Sequence, residues 1–243
     1  MKTVALIQAR MASSRLPGKV LMKLGSSSVL SKVVCRVRRA RLVDEVVVAT
    51  STERGDDSIV EACELEKVTV TRGREDDVLD RYYEAAQKLQ ASTIVRITAD
   101  CPLIDPALID DVVFAFQQQS PDYASNTLVR TFPRGLDTEV LSFDALERVW
   151  RDAKQPWERA HVTSFLYQHP EIFRLVSVRL DHDYSGYRWT LDTPEDYEFL
   201  REVYLRLEAK TDFSWRDVLA LLEREPRLSL INANSRQKAM HEG

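Results

Sequence analysis

Arg10, Arg15 and Lys19 place three cations within ten residues near the start of the chain. Ser13 and Ser14 lie between them, and a Pro17-Gly18 turn stands just before the lysine. Several positive groups, small hydroxyl residues and a glycine that admits close backbone approach suit a polyphosphate. Backbone N–H groups from Ala9 to Ser14 would add donors to phosphate or base. Much further along stand two carboxylates, Asp100 and Asp192, each just after an apolar stretch. Such oxygens hold a hard divalent cation against phosphate. Nucleotidyl transfer needs these parts, because positioning and neutralisation of the leaving pyrophosphate carry its rate. In that chemistry Arg10 and Lys19 are the candidate catalytic cations, and Asp100 with Asp192 the candidate ligands of Mg2+.

The elements that would position these groups are readable around them. The apolar run 4–7 has strand length and leads straight into the cationic loop. Ser27 or Ser28 can cap a helix whose stripe is Val29, Leu30, Val33, Val34 and Val37. Arg36, Arg38, Arg39 and Arg41 read as a solvated face ending in cations that suit the helix dipole. Strands follow at 44–50, 67–72 and 93–98, separated by helices at 58–65 and 77–90. This alternation predicts right-handed βαβ units and a mostly parallel sheet, with ligands at the carboxyl ends of the strands. Asp105 before Pro106 reads as a helix cap. Between 120 and 186 the rhythm breaks, which predicts an inserted α+β subdomain in a single-domain chain, with helices at 144–152 and 157–167 and a strand at 173–179. The stretch 188–196 reads as a last strand and helix start, capped by Thr193 with Pro194 first and Asp196 third. Helices follow at 196–209 and 214–224, and beyond Leu230 the polar residues read as frayed.

Bulk properties narrow the field. The 243 residues suffice for one α/β domain, and a net charge of −4 argues against a general nucleic-acid binder. Cys35, Cys63 and Cys101 show no C-x-x-C spacing, so neither a disulfide framework nor a zinc site is indicated, and a reducing cytoplasm is expected. Cys101 has no activating partner in sequence and reads as structural. No apolar run approaches the roughly 18 residues that span a membrane, and no leader precedes the first strand. Neither Gly-x-x-x-x-Gly-Lys-[Ser/Thr] nor Gly-x-Gly-x-x-Gly occurs, so the loop is not of the P-loop or dinucleotide kind.

The run Ile7-Gln8-Ala9-Arg10-Met11-x-Ser13-Ser14-Arg15-Leu16-Pro17-Gly18-Lys19 resembles the opening signature of the cytidylyltransferases that activate acidic sugars. The branch it looks like is the spore-coat polysaccharide cytidylyltransferase-like family, related to the CMP-KDO and CMP-sialic acid synthetases. Val78-Leu79-Asp80-Arg81-Tyr82, Arg-x-Thr-x-Asp-Cys-Pro-Leu-Ile-Asp-Pro at 96–106 and Leu-Asp-Thr-Pro-Glu-Asp-Tyr at 191–197 extend the resemblance over most of the chain. It implies a Rossmann-like nucleotidyltransferase fold of the GT-A-like kind, a three-layer αβα sandwich. It further implies CTP, Mg2+ and an acidic small-molecule acceptor as partners, and a homodimer. The nucleotide residues would be Ala9, Arg10, Ser13, Ser14, Arg15, Gly18, Lys19, Asp80, Arg81 and Asp100, and the metal pair Asp100 and Asp192. In the family the irregular segment carries the acceptor site and much of the dimer contact, and the residues here that match are Arg134, Gly135, Asp137, Glu139, Glu158 and His161.

Other readings of the same residues stand beside these. Asp80 and Arg81 can be a surface ion pair near a helix start, Asp100 a turn cap, and the acceptor set solvated loop charges. Asp181-His182-Asp183 is an Asp-x-Asp of the sort a metal-dependent glycosyltransferase of the same architecture uses, though surface loops often produce one. A non-catalytic nucleotide-binding protein is the third reading.

Overall fold

The computed structural model describes residues 1–210 and 212–236. In chain order the elements are β1 (Thr3–Gln8), β2 (Lys23–Leu24), β3 (Ser27–Ser28), α1 (Val29–Val37), β4 (Glu45–Ser51), α2 (Asp57–Leu65), β5 (Thr69–Gly73), α3 (Val78–Lys88), β6 (Thr93–Thr98) and α4 (Pro106–Gln119). Then come β7 (Tyr123–Ser125), β8 (Glu139–Ser142), α5 (Phe143–Asp152), α6 (Pro156–His161), α7 (Ser164–Gln168), β9 (Leu175–Ser177), α8 (Pro194–Leu207) and α9 (Trp215–Arg224). Among these residues seven strands form one sheet in the order β5-β4-β1-β6-β8-β7-β9. β5, β4, β1 and β6 run parallel, and β8 alone runs against its neighbours.

Strand periodicity sorts the core into two layers. On β1, Ala5 and Ile7 face a core built with α1, α4, α8 and α9, while Val4 and Leu6 face one built with α3 and α5. The sheet is therefore covered by helices on both sides, as its continuous apolar strands require. The caps follow local chemistry. Ser28 accepts from the Ser31 N–H at 3.1 Å, Asp105 from the Ala107 N–H at 2.9 Å, and Thr193 and Asp196 form a reciprocal capping box.

Several sequence expectations need correction. Arg36 is buried, donating to the Ile104 and Phe213 carbonyls at 2.6 and 2.9 Å, so it leaves the solvated face, whereas Arg38, Arg39 and Arg41 are exposed as expected, Arg38 donating to the Glu66 and Lys67 carbonyls just past α2. The helix expected over 157–167 breaks at buried Val162 (φ 59°, ψ −60°), where the Thr163 N–H meets the His161 carbonyl at 2.6 Å. That is a γ-turn of the strained hand. Residues 120–186 contribute β7, β8 and β9 to the central sheet and α5 to α7 to one of its faces. The stretch before Asp192 is extended but outside the sheet, with a single bridge between Arg188 and Arg134. Asn232 is buried and bonded, so the chain past Leu230 is not frayed there, while residues 237–243 lie outside the described part.

Candidate active site

A cavity of about 780 Å3 opens at the carboxyl ends of β1 and β6, and Arg10, Ser13, Ser14, Arg15, Lys19, Asp100 and Asp192 all line it. The loop that follows β1 is held at both ends. Gly18 takes φ 72°, which turns the chain so that its N–H reaches the Met11 carbonyl at 2.9 Å. Buried Asp56 accepts from the Met11 N–H at 2.7 Å while its other oxygen takes the Thr50 and Ser51 hydroxyls and the Ser51 N–H. Burial pushes the Asp56 carboxyl up, but these donors outweigh it and hold the group below the ordinary range. Asp56 is a residue the sequence gave no sign of. The Ala9 N–H, expected to face ligand, is spent on the Ala49 carbonyl at 3.1 Å. The Met11 N–H is likewise engaged, which removes two of the donors expected from this loop.

Lys19 sits in a short 3-10 turn after Gly18 and reaches back across the crevice. Its Nζ donates to Asp100 Oδ2 at 2.6 Å, to Asp192 Oδ1 at 2.9 Å and to the Leu191 carbonyl at 2.8 Å. Burial alone would lower the ammonium's pKa, yet Asp100 and Asp192 together raise it. Burial likewise favours a protonated Asp100, and Lys19 reverses that to hold the carboxyl below the usual range. Asp100 and Asp192 thus meet as expected, but parallel strands do not bring them together. The Leu191 N–H bonds the Asp100 carbonyl at 2.8 Å, docking the extended stretch against the end of β6.

Asp192 is further gripped by Arg15 at 3.0 Å and Arg188 at 2.7 Å. Fully buried Asp196 holds the Arg188 guanidinium from the other side, at 2.9 and 3.0 Å, and also accepts from the Asp192 N–H and from Asn232. Arg188, Asp196 and Asn232 were missed as site residues, although Asp196 lies inside the 191–197 motif and Arg188 stands four positions before Asp192. Arg15 and Lys19 are therefore neutralised by carboxylates. Exposed Arg10 makes no side-chain hydrogen bond or ion pair among the described residues.

The remaining expected residues divide. Asp80 accepts the Trp150 indole N–H at 2.7 Å, and neither it nor Arg81 lines the crevice. Arg81 is buried, donates to the Arg74 carbonyl, and has two guanidinium nitrogens without partners among the described residues. Glu158 accepts the Lys154 and Gln155 N–H groups as the cap of α6, so it is not open to an acceptor. Glu139 is buried against Arg96 and the Tyr123 and Thr163 hydroxyls, which closes it off as well. Asp137 forms a two-pronged pair with Arg130 at 2.6 and 2.8 Å. Gly135 (φ 104°) lies so close to the Trp189–Thr190 backbone that a β-carbon would come within 2.6 Å of it. Arg134 borders a smaller cavity of about 390 Å3 beside Arg188, and His161 ends α6. Asp183 also borders that cavity, accepting the Ser185 N–H at 2.8 Å in an exposed turn, and shares no cation with Asp181 among the described residues. Burial pushes the Cys101 thiol well above its ordinary value, which suits a structural residue.

The donor set at the crevice fits a hard divalent cation. Two carboxylates lie within reach of one ammonium, with the Cys101 thiol donating to Asp100 at 3.6 Å, and among the described residues no three His, Cys, Asp or Glu side chains are grouped so as to hold an ion by themselves. Mg2+ binds in this way, through one or two carboxylates with phosphate oxygens and water completing the shell.

A cytidylyltransferase family model matches residues 4–220. The chain belongs to the cytidylyltransferase family. The enzyme is therefore a nucleotidyltransferase, and its relatives agree in fold. The spore coat polysaccharide biosynthesis protein SpsF of Bacillus subtilis is 36% identical over 228 residues, covering 91% of this chain and 94% of SpsF. A cytidylyltransferase structure from Leptospira borgpetersenii superposes with a TM-score of 0.91 at 34% identity, covering 98% of this chain and 100% of the other. A CMP-2-keto-3-deoxy-manno-octonic acid synthetase complexed with CTP gives a TM-score of 0.66 at 19% identity, over 85% of this chain and 99% of that one, and shares the fold.

Proposed function

We propose that the enzyme transfers CMP from CTP to an acidic sugar or a related acid and releases pyrophosphate. The observation that carries this reading is the Lys19 ammonium held between Asp100 and Asp192 at the mouth of a crevice that also presents unpaired Arg10. A triphosphate entering there meets Arg10 first. Its oxygens then compete with the carboxylates for Arg15 and Lys19, and the exchange frees Asp100 and Asp192 to hold Mg2+. Held by Asp100 and Asp192, the cation would neutralise phosphate charge. Lys19 and Arg10 stabilise the departing pyrophosphate, an electrostatic role that needs no proton transfer. A carboxylate acceptor is already nucleophilic at neutral pH, so the site requires no strong general base. Arg134, beside Arg188 and next to the crevice, is the cation best placed to orient such an acceptor.

The relation to SpsF supports a role in supplying activated sugars for surface polysaccharide. In this reading the 120–186 segment would also supply the contact of a homodimer. Three free cysteines suit a reducing cytoplasm, and no described helix is long and apolar enough to cross a membrane. Pyrophosphate release measured with CTP, UTP, ATP and GTP across a panel of acidic sugars tests the reading, with Mg2+ varied in parallel. CTP-selective, acceptor-dependent and Mg2+-dependent release is expected. Turnover of a nucleotide-sugar instead would revive glycosyl transfer.

A further inference from the structure

Gln8 has no place in the site as described, yet its side chain borders the crevice at the end of β1, in register with Thr98 of β6. Two residues earlier on β6, on the same face of the sheet, Arg96 donates through Nη2 to Gln8 Oε1 at 3.4 Å. A guanidinium carries donors only, so the amide must turn its oxygen toward Arg96. The NH2 end is then the one that faces ligand. Arg96 is itself held in place. It pairs with Glu139, its partner across β6 and β8, and Glu139 accepts the Tyr123 and Thr163 hydroxyls at 2.6 Å each.

We propose that Gln8 contacts substrate, its amide fixed donor-outward by the Arg96–Glu139 pair, and that it hydrogen-bonds an anionic oxygen in the crevice. That oxygen belongs either to the phosphates of the nucleotide or to the carboxylate of the acceptor. The inference rests on the nucleotidyl-transfer reading above. Arg96 and Glu139 act through Gln8 and are positioning residues. They also give buried Glu139 a bearing on the site without any contact to ligand.

Two substitutions at Gln8 separate donor chemistry from packing. Gln8→Met keeps the length of the side chain and removes the donor. Gln8→Glu keeps a partner for Arg96 but turns a carboxylate oxygen into the crevice. With both proteins folded by circular dichroism and melting, Gln8→Met should raise one KM by ~10-fold, the scale of losing a hydrogen bond to a charged group. Gln8→Glu should raise the same KM further, through like-charge repulsion. Calorimetry with CTP alone identifies the phosphate arm, and acceptor KM at saturating CTP the carboxylate arm. Glu139→Gln should move that same KM in the same direction, whereas a merely structural role would change only the melting temperature. Wild-type KM values for both substrates in folded Gln8→Glu overturn the inference and leave nucleotidyl transfer standing. A wild-type protein that neither binds CTP nor releases pyrophosphate from it overturns both.

Discussion

Lys19 between Asp100 and Asp192, and Arg96 against Glu139, are both largely covered cations on carboxylates beside β6. The first cluster opens on a cavity, and the Asp100 side chain is 23% exposed. The second is sealed by two hydroxyls, and the Glu139 side chain is 8% exposed. A triphosphate can offer Lys19 a new partner, whereas Arg96 does not line the cavity and stays on Glu139. Charge pairs of equal chemistry thus take different work from their access to solvent. The open pair can exchange partners, and the closed one can only hold.

Substitutions can break this contrast. The largest effect is expected from Glu139→Ala, which strands Arg96 in the sheet and should cost about 3–5 kcal/mol of unfolding free energy. Chemical denaturation would show it, and a loss within error of zero would mean the sealed pair is not structural. Lys19→Ala should lower turnover by ~10²–10³-fold, as expected on losing one preorganised electrostatic contact. It should also destabilise, because two carboxylates lose their shared partner. Rapid-quench assays at saturating CTP, set beside melting curves, separate the two effects.

Asp100→Asn sharpens the contrast from the other side. It should raise the Mg2+ concentration needed for half-maximal rate by ~10-fold or more, and lower the melting temperature less than Lys19→Ala does, since one carboxylate rather than two loses its partner. The acid limb of stability tests the same cluster. Lys19 holds the folded Asp100 pKa below its ordinary value, so the pair stabilises fully above that value, and the contribution is lost as pH falls through the depressed one. The Lys19 pKa is raised, so its share is present below the ordinary lysine value and lost as pH rises through the folded one. Replacing Asp100 by Asn should flatten the acid limb of a stability titration, because the variant already lacks at neutral pH the contribution that wild type loses in acid. The smallest effect is expected from Asp183→Asn, within about 0.5 kcal/mol and with wild-type kinetics, since it sits in an exposed turn.

What could be read in the sequence was what local chemistry decides. Strand β6 and the caps Asp105 and Thr193 lie where spacing put them, because each depends on neighbours within a few residues. Asp100 and Asp192 were placed in one crevice from their position after apolar stretches, although a docked loop, not a parallel strand, brings the second one in. Glu139 and Glu158 look like Asp137 in sequence. Only the fold supplies Arg96, 43 positions from Glu139, to bury it. Asp56 was illegible for the same reason, since the backbone N–H it captures belongs to Met11, 45 positions earlier. Arg188 was within reach, being only four residues from Asp192.

The bonds that complete the crevice also impose an order in time. Lys19 meets Asp192 across 173 positions, and Arg15 meets the Arg236 carbonyl across 221. During synthesis the cationic loop leaves the ribosome well before these partners and waits for them with its charges unneutralised. Contacts of such long range form late and slowly. Activity should therefore arrive in one step once the stretch carrying Asp192 and Arg236 has been made, and no nascent length short of it should carry a working fraction.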